Sequence, residues 1–193
     1  MKYFKHFKYP ILLYKNYDNI YIQERTENAT YEKKAEEEIN KKIDDFKKIR
    51  ENNRKNGIKM KYENPAVYIG GYDIDTGNAC ADYSRSPPAD KDIHDELKKI
   101  MKDKGLKITR KEETDTSNKI EKELKITGEK NTFNKVGRCA EFHVVNKLLW
   151  QGSNIEAIRL IKAVRIKNWG WDIVPYCPNC LKMFEGMEIL KED

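Results

Sequence analysis

The chain has 193 residues, 38% of them hydrophobic, enough to fill the core of one domain of ordinary size but not of two. It carries 38 Lys and Arg against 32 Asp and Glu, a net charge of +6. No run of about 18 apolar residues is present, which excludes a helical membrane span, and Met1–Lys8 mixes basic and aromatic residues where a signal peptide would need an apolar core. The basic excess lies N-terminally, with 15 basic and 10 acidic residues over positions 1–60 against 8 and 7 over 138–193. It suits a polyanionic partner. It carries little weight, because the Lys-, Asn-, Ile- and Tyr-rich composition also follows from an A/T-biased genome.

In residues 1–25, Tyr3, Phe7, Tyr14, Ile20 and Tyr21 are interleaved with basic residues, a pattern that predicts short strands or turns. Tyr31, Ala35, Ile39, Ile43, Phe46 and Ile49 then recur every three or four positions, predicting a long amphipathic helix closed at Asn56-Gly57. Residues 1–63 thus read as a helical N-terminal extension and 64–193 as the chemical domain. Ala66–Ile74 and Ala79–Tyr83 flank the turn Asp75-Thr76-Gly77-Asn78 and predict a hairpin. Pro87-Pro88 predicts the start of a helix with Ile93, Leu97, Ile100 and Met101 on one face and Gly105 past its end; His94 beside that stripe reads as a packing or surface residue.

Residues 107–135 are polar and weakly patterned apart from Ile120, Leu124 and Ile126, and read as a variable insertion. A helix is expected over 138–151, with Ala140, Val144, Val145, Leu148 and Leu149 on one face and Glu141 in its first turn. The near-alternating Ala157–Ile166 predicts a central strand, although Ser153-x-x-Glu156 resembles a capping box, so its start could be a helical turn. After Trp169-Gly170-Trp171, a helix of about two turns is expected from the C-x-x-C and a last strand at 187–190. Strands alternating with helices predict an α/β, three-layer architecture, a mixed central sheet flanked by helices.

The chemistry-bearing residues are Cys139-Ala140-Glu141 and Cys177-Pro178-Asn179-Cys180. Three thiols are the ligand count of a catalytic zinc, which keeps one position for water. Bound zinc brings the pKa of that water towards neutral and makes hydroxide available as a nucleophile. Attack on a nucleobase carbon then needs a carboxyl that is not a ligand to move protons, and Glu141 has the spacing of the ligand-x-E, C-x-x-C deaminase signature. Three thiolates leave the zinc site at a formal charge of −1, which Arg138 and helix N-termini can offset. Two rival readings use the same thiols: a structural zinc site of Cys80, Cys139, Cys177 and Cys180, or buried thiols without metal.

The order of elements and these motifs resemble the cytidine-deaminase-like fold, and within it the bacterial polymorphic-toxin deaminases of the YwqJ-like group. The matching residues are Asp73-Ile74-Asp75-Thr76-Gly77, Pro87-Pro88, Cys139-Ala140-Glu141 and Cys177-Pro178-Asn179-Cys180, over roughly residues 64–190. The resemblance implies Cys139, Cys177 and Cys180 as Zn2+ ligands and Glu141 as proton shuttle, with cytosine, before adenine, deaminated in DNA or RNA, single-stranded DNA first. It also implies a domain secreted as part of a larger toxin, active in the target-cell cytoplasm and neutralised by a cognate immunity protein. Tyr176 stands where the family has proline, with Pro175 one place earlier. Deamination of a free nucleoside or nucleotide is the enzymatic alternative, and a noncatalytic zinc-stabilised interaction domain is the alternative of another class.

A base must be stacked and its edge held, which singles out Trp169, Trp171 and Tyr176 near the second motif. For both tryptophans, packing between sheet and helix is the competing reading. Asn78, Ser84 and Arg85, near the hairpin's end, are candidates for sugar or phosphate contacts, or a solvated turn. His143 lies four residues after Cys139 and reads as support behind the ligands, and Cys80 as a buried small residue.

Overall fold

The computed structural model describes residues 12–59, 65, 67–108, 136–167 and 170–190, with backbone alone for 12–25, 167, 170 and 171. Its elements are α1 (Leu12–Lys55), β1 (Tyr68–Asp73), β2 (Ala79–Tyr83), a 3-10 turn (Asp90–Asp92), α2 (Asp95–Asp103), α3 (Ala140–Trp150), a second 3-10 turn (Ile155–Ala157), β3 (Ile158–Leu160), β4 (Ala163–Lys167), β5 (Gly170–Val174) and α4 (Pro178–Met183). The strands form one sheet in the order β2-β1-β4-β5, with β3 pairing β1 as well. The class is mixed α/β, and all four strand ladders are antiparallel. The expectation of a mixed sheet is therefore corrected: the parallel pairing among the described residues is a single bridge, Leu160 to Leu190. The strand expected at 187–190 is reduced to that bridge.

All six residues of β1 are buried, because both of its faces are covered. On one side Tyr68 and Tyr72 join Ala35, Ile39 and Ile43 of α1, with Ala81 and Ile161. On the other, Ile69 joins Val144, Val145 and Leu148 of α3, with Ile158 and Leu160. The helix foreseen from the apolar stripe is thus one of the two layers flanking the sheet, although Ile49 at the end of that stripe stays exposed. The helix also begins earlier than expected, since 12–25 are helical where strands or turns were predicted. Residues 1–11 lie outside the described residues.

Gly70 and Gly71 set how closely the layers approach. A Cβ on Gly70 would come 2.7 Å from the Ala35 carbonyl oxygen of α1; one on Gly71 would come 2.7 Å from Leu160 Cδ2 and Val144 Cγ1. The turn after β1 is held by Asp73, whose Oδ1 accepts from the N–H groups of Asp75 (2.8 Å) and Thr76 (3.0 Å). This explains the leading Asp of the D-x-x-T-G stretch as a turn former.

Three further expectations are corrected. Pro87-Pro88 does not open a helix. The 3-10 turn intervenes and α2 starts after His94, whose Nδ1 accepts from Glu96 N–H (3.3 Å) and so caps it. The strand expected over 157–166 is broken: Gly71 pairs with Leu160, but Tyr68 with Val164, a slip of one residue that marks a β-bulge at Ile161-Lys162. Its approach is the helical turn anticipated from the capping pattern, except that Asn154, not Ser153, bonds Glu156 N–H (3.1 Å). Finally, β5 pairs residue for residue with β4 where no strand was expected. The helix at 138–151 is observed as α3 and the C-x-x-C helix as α4. Of the 107–135 segment, 109–135 lie outside the described residues.

Replacing Gly70 by Ala forces α1 and β1 apart against a backbone atom, which cannot rotate away. Overpacking of this kind costs about 1–3 kcal/mol. Thermal unfolding of Gly70→Ala is expected at a Tm several degrees below the parent, and an unchanged Tm would contradict the close approach.

Candidate metal centre

Two helix starts converge to build the site. Cys139 is the N-cap of α3, Cys177 the N-cap of α4, and Cys180 sits in the first turn of α4 behind Pro178 at its opening position. Pro178 suits that position because its missing N–H would have no partner there. The three sulfur atoms all lie within 4.8 Å of one another, with Cys139 Sγ and Cys177 Sγ 2.7 Å apart. Cys177 Sγ also accepts from Cys180 N–H (3.4 Å). Cys139 and Cys180 are each 1% exposed and Cys177 9%.

Glu141, in the first turn of α3, reaches across to the other helix start: its Oε1 accepts from Cys177 N–H at 3.2 Å. The carboxyl is 4% exposed. Burial, then the charge at Cys177, pushes its pKa up to about 7, against hydrogen bonds from its own N–H and that of Cys177. Among the thiols, Cys177 is driven down, first by the Cys139 thiol donating to it, then by Cys180 and the N–H groups of Cys180 and Asn179. Cys139 is pushed up first by its hydrogen bonding to Cys177, and Cys180 first by hydrogen bonding to Cys139, then to Cys177, and by burial. Without a cation the trio therefore holds one thiolate comfortably and resists a second.

The three thiols could hold a metal ion. Zinc–thiolate bonds of about 2.3 Å in a tetrahedron place ligand sulfurs roughly 3.8 Å apart; the trio lies within a 4.8 Å envelope, and Cys139 and Cys177, at 2.7 Å, would open by about an ångström to hold the ion. Among the described residues no fourth His, Cys, Asp or Glu joins the cluster. Cys80 lies elsewhere, its thiol donating to Val144 O at 3.8 Å on the face of the sheet under α3. The four-cysteine structural site weighed from the sequence is not assembled. A cation at the trio would supply the charge that lets the remaining thiols ionise, so its binding releases protons.

Around this centre the other candidates separate. Arg85 N–H donates to Arg138 O (3.1 Å), so the strand end abuts the loop that delivers Cys139. The Arg85 side chain, half exposed, pairs with Asp82 Oδ2 (2.8 Å) and lies over the Tyr83 ring. Asp82 is 4% exposed and was not singled out from the sequence; the D-x-x-R spacing at the strand end was its signal. Ser84 Oγ accepts from Val67 N–H (3.2 Å), closing the open end of the hairpin. Asn78 precedes β2 while Ser84 and Arg85 follow it. A five-residue strand of about 17 Å separates them, so Asn78 does not share their place.

His143 is buried outside the thiol cluster. A backbone hydrogen bond at Arg85 fixes its ring, Nε2 has no hydrogen-bond partner, and burial, then the Arg85 charge, pushes its pKa down to about 4. Arg138 Nε is likewise buried without one. Tyr176 is half-buried, and its hydroxyl donates towards Leu160 O and Ile161 O (3.4 Å each), bracing the bulge. Trp169 lies outside the described residues; of Trp171 the backbone, in β5, is described. A cavity of about 850 Å³ lies beside Tyr176, Ile173, Leu181, Phe184 and Met187, and none of the three thiols lines it.

Serine in place of Cys139, Cys177 or Cys180 is expected to abolish zinc retention after dialysis against a mild chelator, whereas Cys80→Ala keeps it; metal analysis of the four variants decides this. A second expectation concerns pH. In the metal-free protein the folded pKa of Glu141 lies above its unfolded value, so between about pH 4.5 and 7 the folded state binds more protons, and stability falls as pH rises through that window. Glu141→Gln cannot titrate. Relative to the parent it should gain on the order of 3 kcal/mol at pH 8, with little gain at pH 4, measured by denaturant unfolding of both metal-free proteins.

Comparison of the chain with protein-family models, with curated proteins and with solved structures finds no match in any of the three.

Proposed function

We propose that this protein is a zinc-dependent hydrolase that deaminates a nucleobase, cytosine before adenine, on a cytidine-deaminase-like fold. The observation that carries the reading is the position of Glu141. It is a buried carboxyl on the first turn of the helix capped by one thiol, hydrogen-bonded to the backbone N–H of another, yet not part of the thiol cluster. A carboxyl whose only task was to complete the fold would gain nothing from being placed there at the cost of its desolvation.

When bound, zinc supplies a Lewis acid that makes water a nucleophile near neutral pH. Cys139, Cys177 and Cys180 would hold it from two helix starts. Burial holds the Glu141 carboxyl above the usual carboxylate range, which suits it to take a proton and return it to a ring nitrogen and then to the departing amine. The N–H of Cys177 keeps the carboxyl oriented through Oε1. Arg85, half exposed beside the Cys139 loop, offers a positive charge to a nucleotide phosphate. The hairpin, the C-x-E helix and the C-x-x-C helix support the toxin reading through the resemblance. That reading brings nucleic acid, single-stranded DNA first, as substrate and a cognate immunity protein as partner. It also has the domain delivered within a larger secreted protein into a target cell.

The deciding experiment incubates the zinc-loaded protein and Glu141→Ala with single-stranded DNA, duplex DNA, RNA and free cytidine, measuring ammonia, uracil and inosine. Ammonia from the parent and at least a hundredfold less from the variant is expected. Release from free cytidine alone would move the substrate to the free nucleoside. No ammonia from any substrate, with zinc retained, would leave a noncatalytic zinc-stabilised interaction domain.

A further inference from the structure

We propose that Cys139 and Cys177 form a reversible disulfide that excludes the metal, making the centre a peroxide-responsive switch. This rests on the thiol cluster being a metal site and is independent of the substrate. The two sulfurs stand 2.7 Å apart. A disulfide requires about 2.05 Å, so bonding moves each atom by well under an ångström. Both thiols are fixed at helix N-caps in extended backbone, Cys139 at φ −69°, ψ 147° and Cys177 at φ −74°, ψ 148°. The approach is thus imposed by the convergence of α3 and α4, two elements 38 residues apart in the chain.

The geometry also chooses the pair. In a C-x-x-C the usual expectation is a bond within the motif, but here Cys177 Sγ faces the N–H of Cys180 and meets the sulfur of Cys139. Cys177 is the most exposed of the three and is where an oxidant arrives first. The step balances with hydrogen peroxide. The Cys177 sulfur attacks the O–O bond and becomes a sulfenic acid while one water leaves. The Cys139 sulfur then displaces the hydroxyl, which leaves as a second water with the remaining thiol proton. Two electrons pass from the sulfur pair to the peroxide. The product retains one thiol of the trio, Cys180, which cannot hold zinc alone, and a dithiol reductant reverses the bond.

The test uses the full chain loaded with zinc and treated with small multiples of hydrogen peroxide. Free thiols should fall from four to two, peptide mapping should link Cys139 to Cys177 within one molecule, and zinc should be released in step with thiol loss. Dithiothreitol followed by zinc should restore both. Cys180→Ser should still form the link. A Cys177–Cys180 bond, a link between molecules, oxidation to sulfinic acid without a link, or thiol loss with zinc retained would each overturn the proposal. None of these readouts involves a substrate, so their failure leaves the deaminase reading standing, and a protein inactive on every nucleobase leaves the switch testable.

Discussion

The double burial of β1 is the constraint from which the rest follows. A strand covered on both faces must let two helices approach it, and here the residues at its centre are the adjacent glycines 70 and 71, one facing each layer. The Ala35 carbonyl of α1 fills the space on one side and Val144 of α3 that on the other. Val144 lies little more than one turn from Cys139, so the depth at which α3 seats on the sheet also sets where the first thiol stands. The thiol cluster is therefore positioned by packing at residues that are not part of it.

Electrostatically, the centre gathers groups whose charges oppose one another. Two helix N-caps, a thiolate favoured at Cys177 and a carboxyl raised towards neutrality crowd one buried volume, and each group's ionisation resists the next. In water such groups would separate. Here α3 and α4 hold them together, and a divalent cation is the simplest way to reconcile their charges. The neutral His143 on α3 and the Arg85–Asp82 pair at the neighbouring strand end stay outside the cluster.

Much of this was legible because the informative patterns are local. The apolar stripe of α1, the turn at 75–78 and the start of α3 at Cys139 each declare themselves within one or two turns of chain. The thiols that cluster were legible for the same reason, two short motifs of fixed spacing. What escaped depended on pairing at a distance. No strand was read over Gly170–Val174, yet it pairs as β5 with the edge that β4 offers. The bulge was written in the doublets Leu160-Ile161 and Ala163-Val164, which shift the alternation by one, but a strand judged by composition alone hides a change of phase. Asn78 and Ser84 appeared to be neighbours because six positions separate them; a strand lies between, so they occupy opposite ends of it. The 12–25 segment was misjudged because Tyr14, Tyr17 and Tyr21 fit a helical face as well as an alternating one.

The separation of the ligands along the chain has a mechanical consequence. Cys139 lies 38 residues before Cys177, and β3, β4 and β5 all fall within that interval. An ion held from both ends would turn the interval into a closed loop and remove much of its freedom in the unfolded chain, as a covalent cross-link does. The outer half of the sheet would then owe its cohesion to a clasp at its two ends as well as to its own hydrogen bonds. Ion occupancy would set how readily that half frays from β1, and chemistry at three sulfur atoms would be felt as stiffness in three strands.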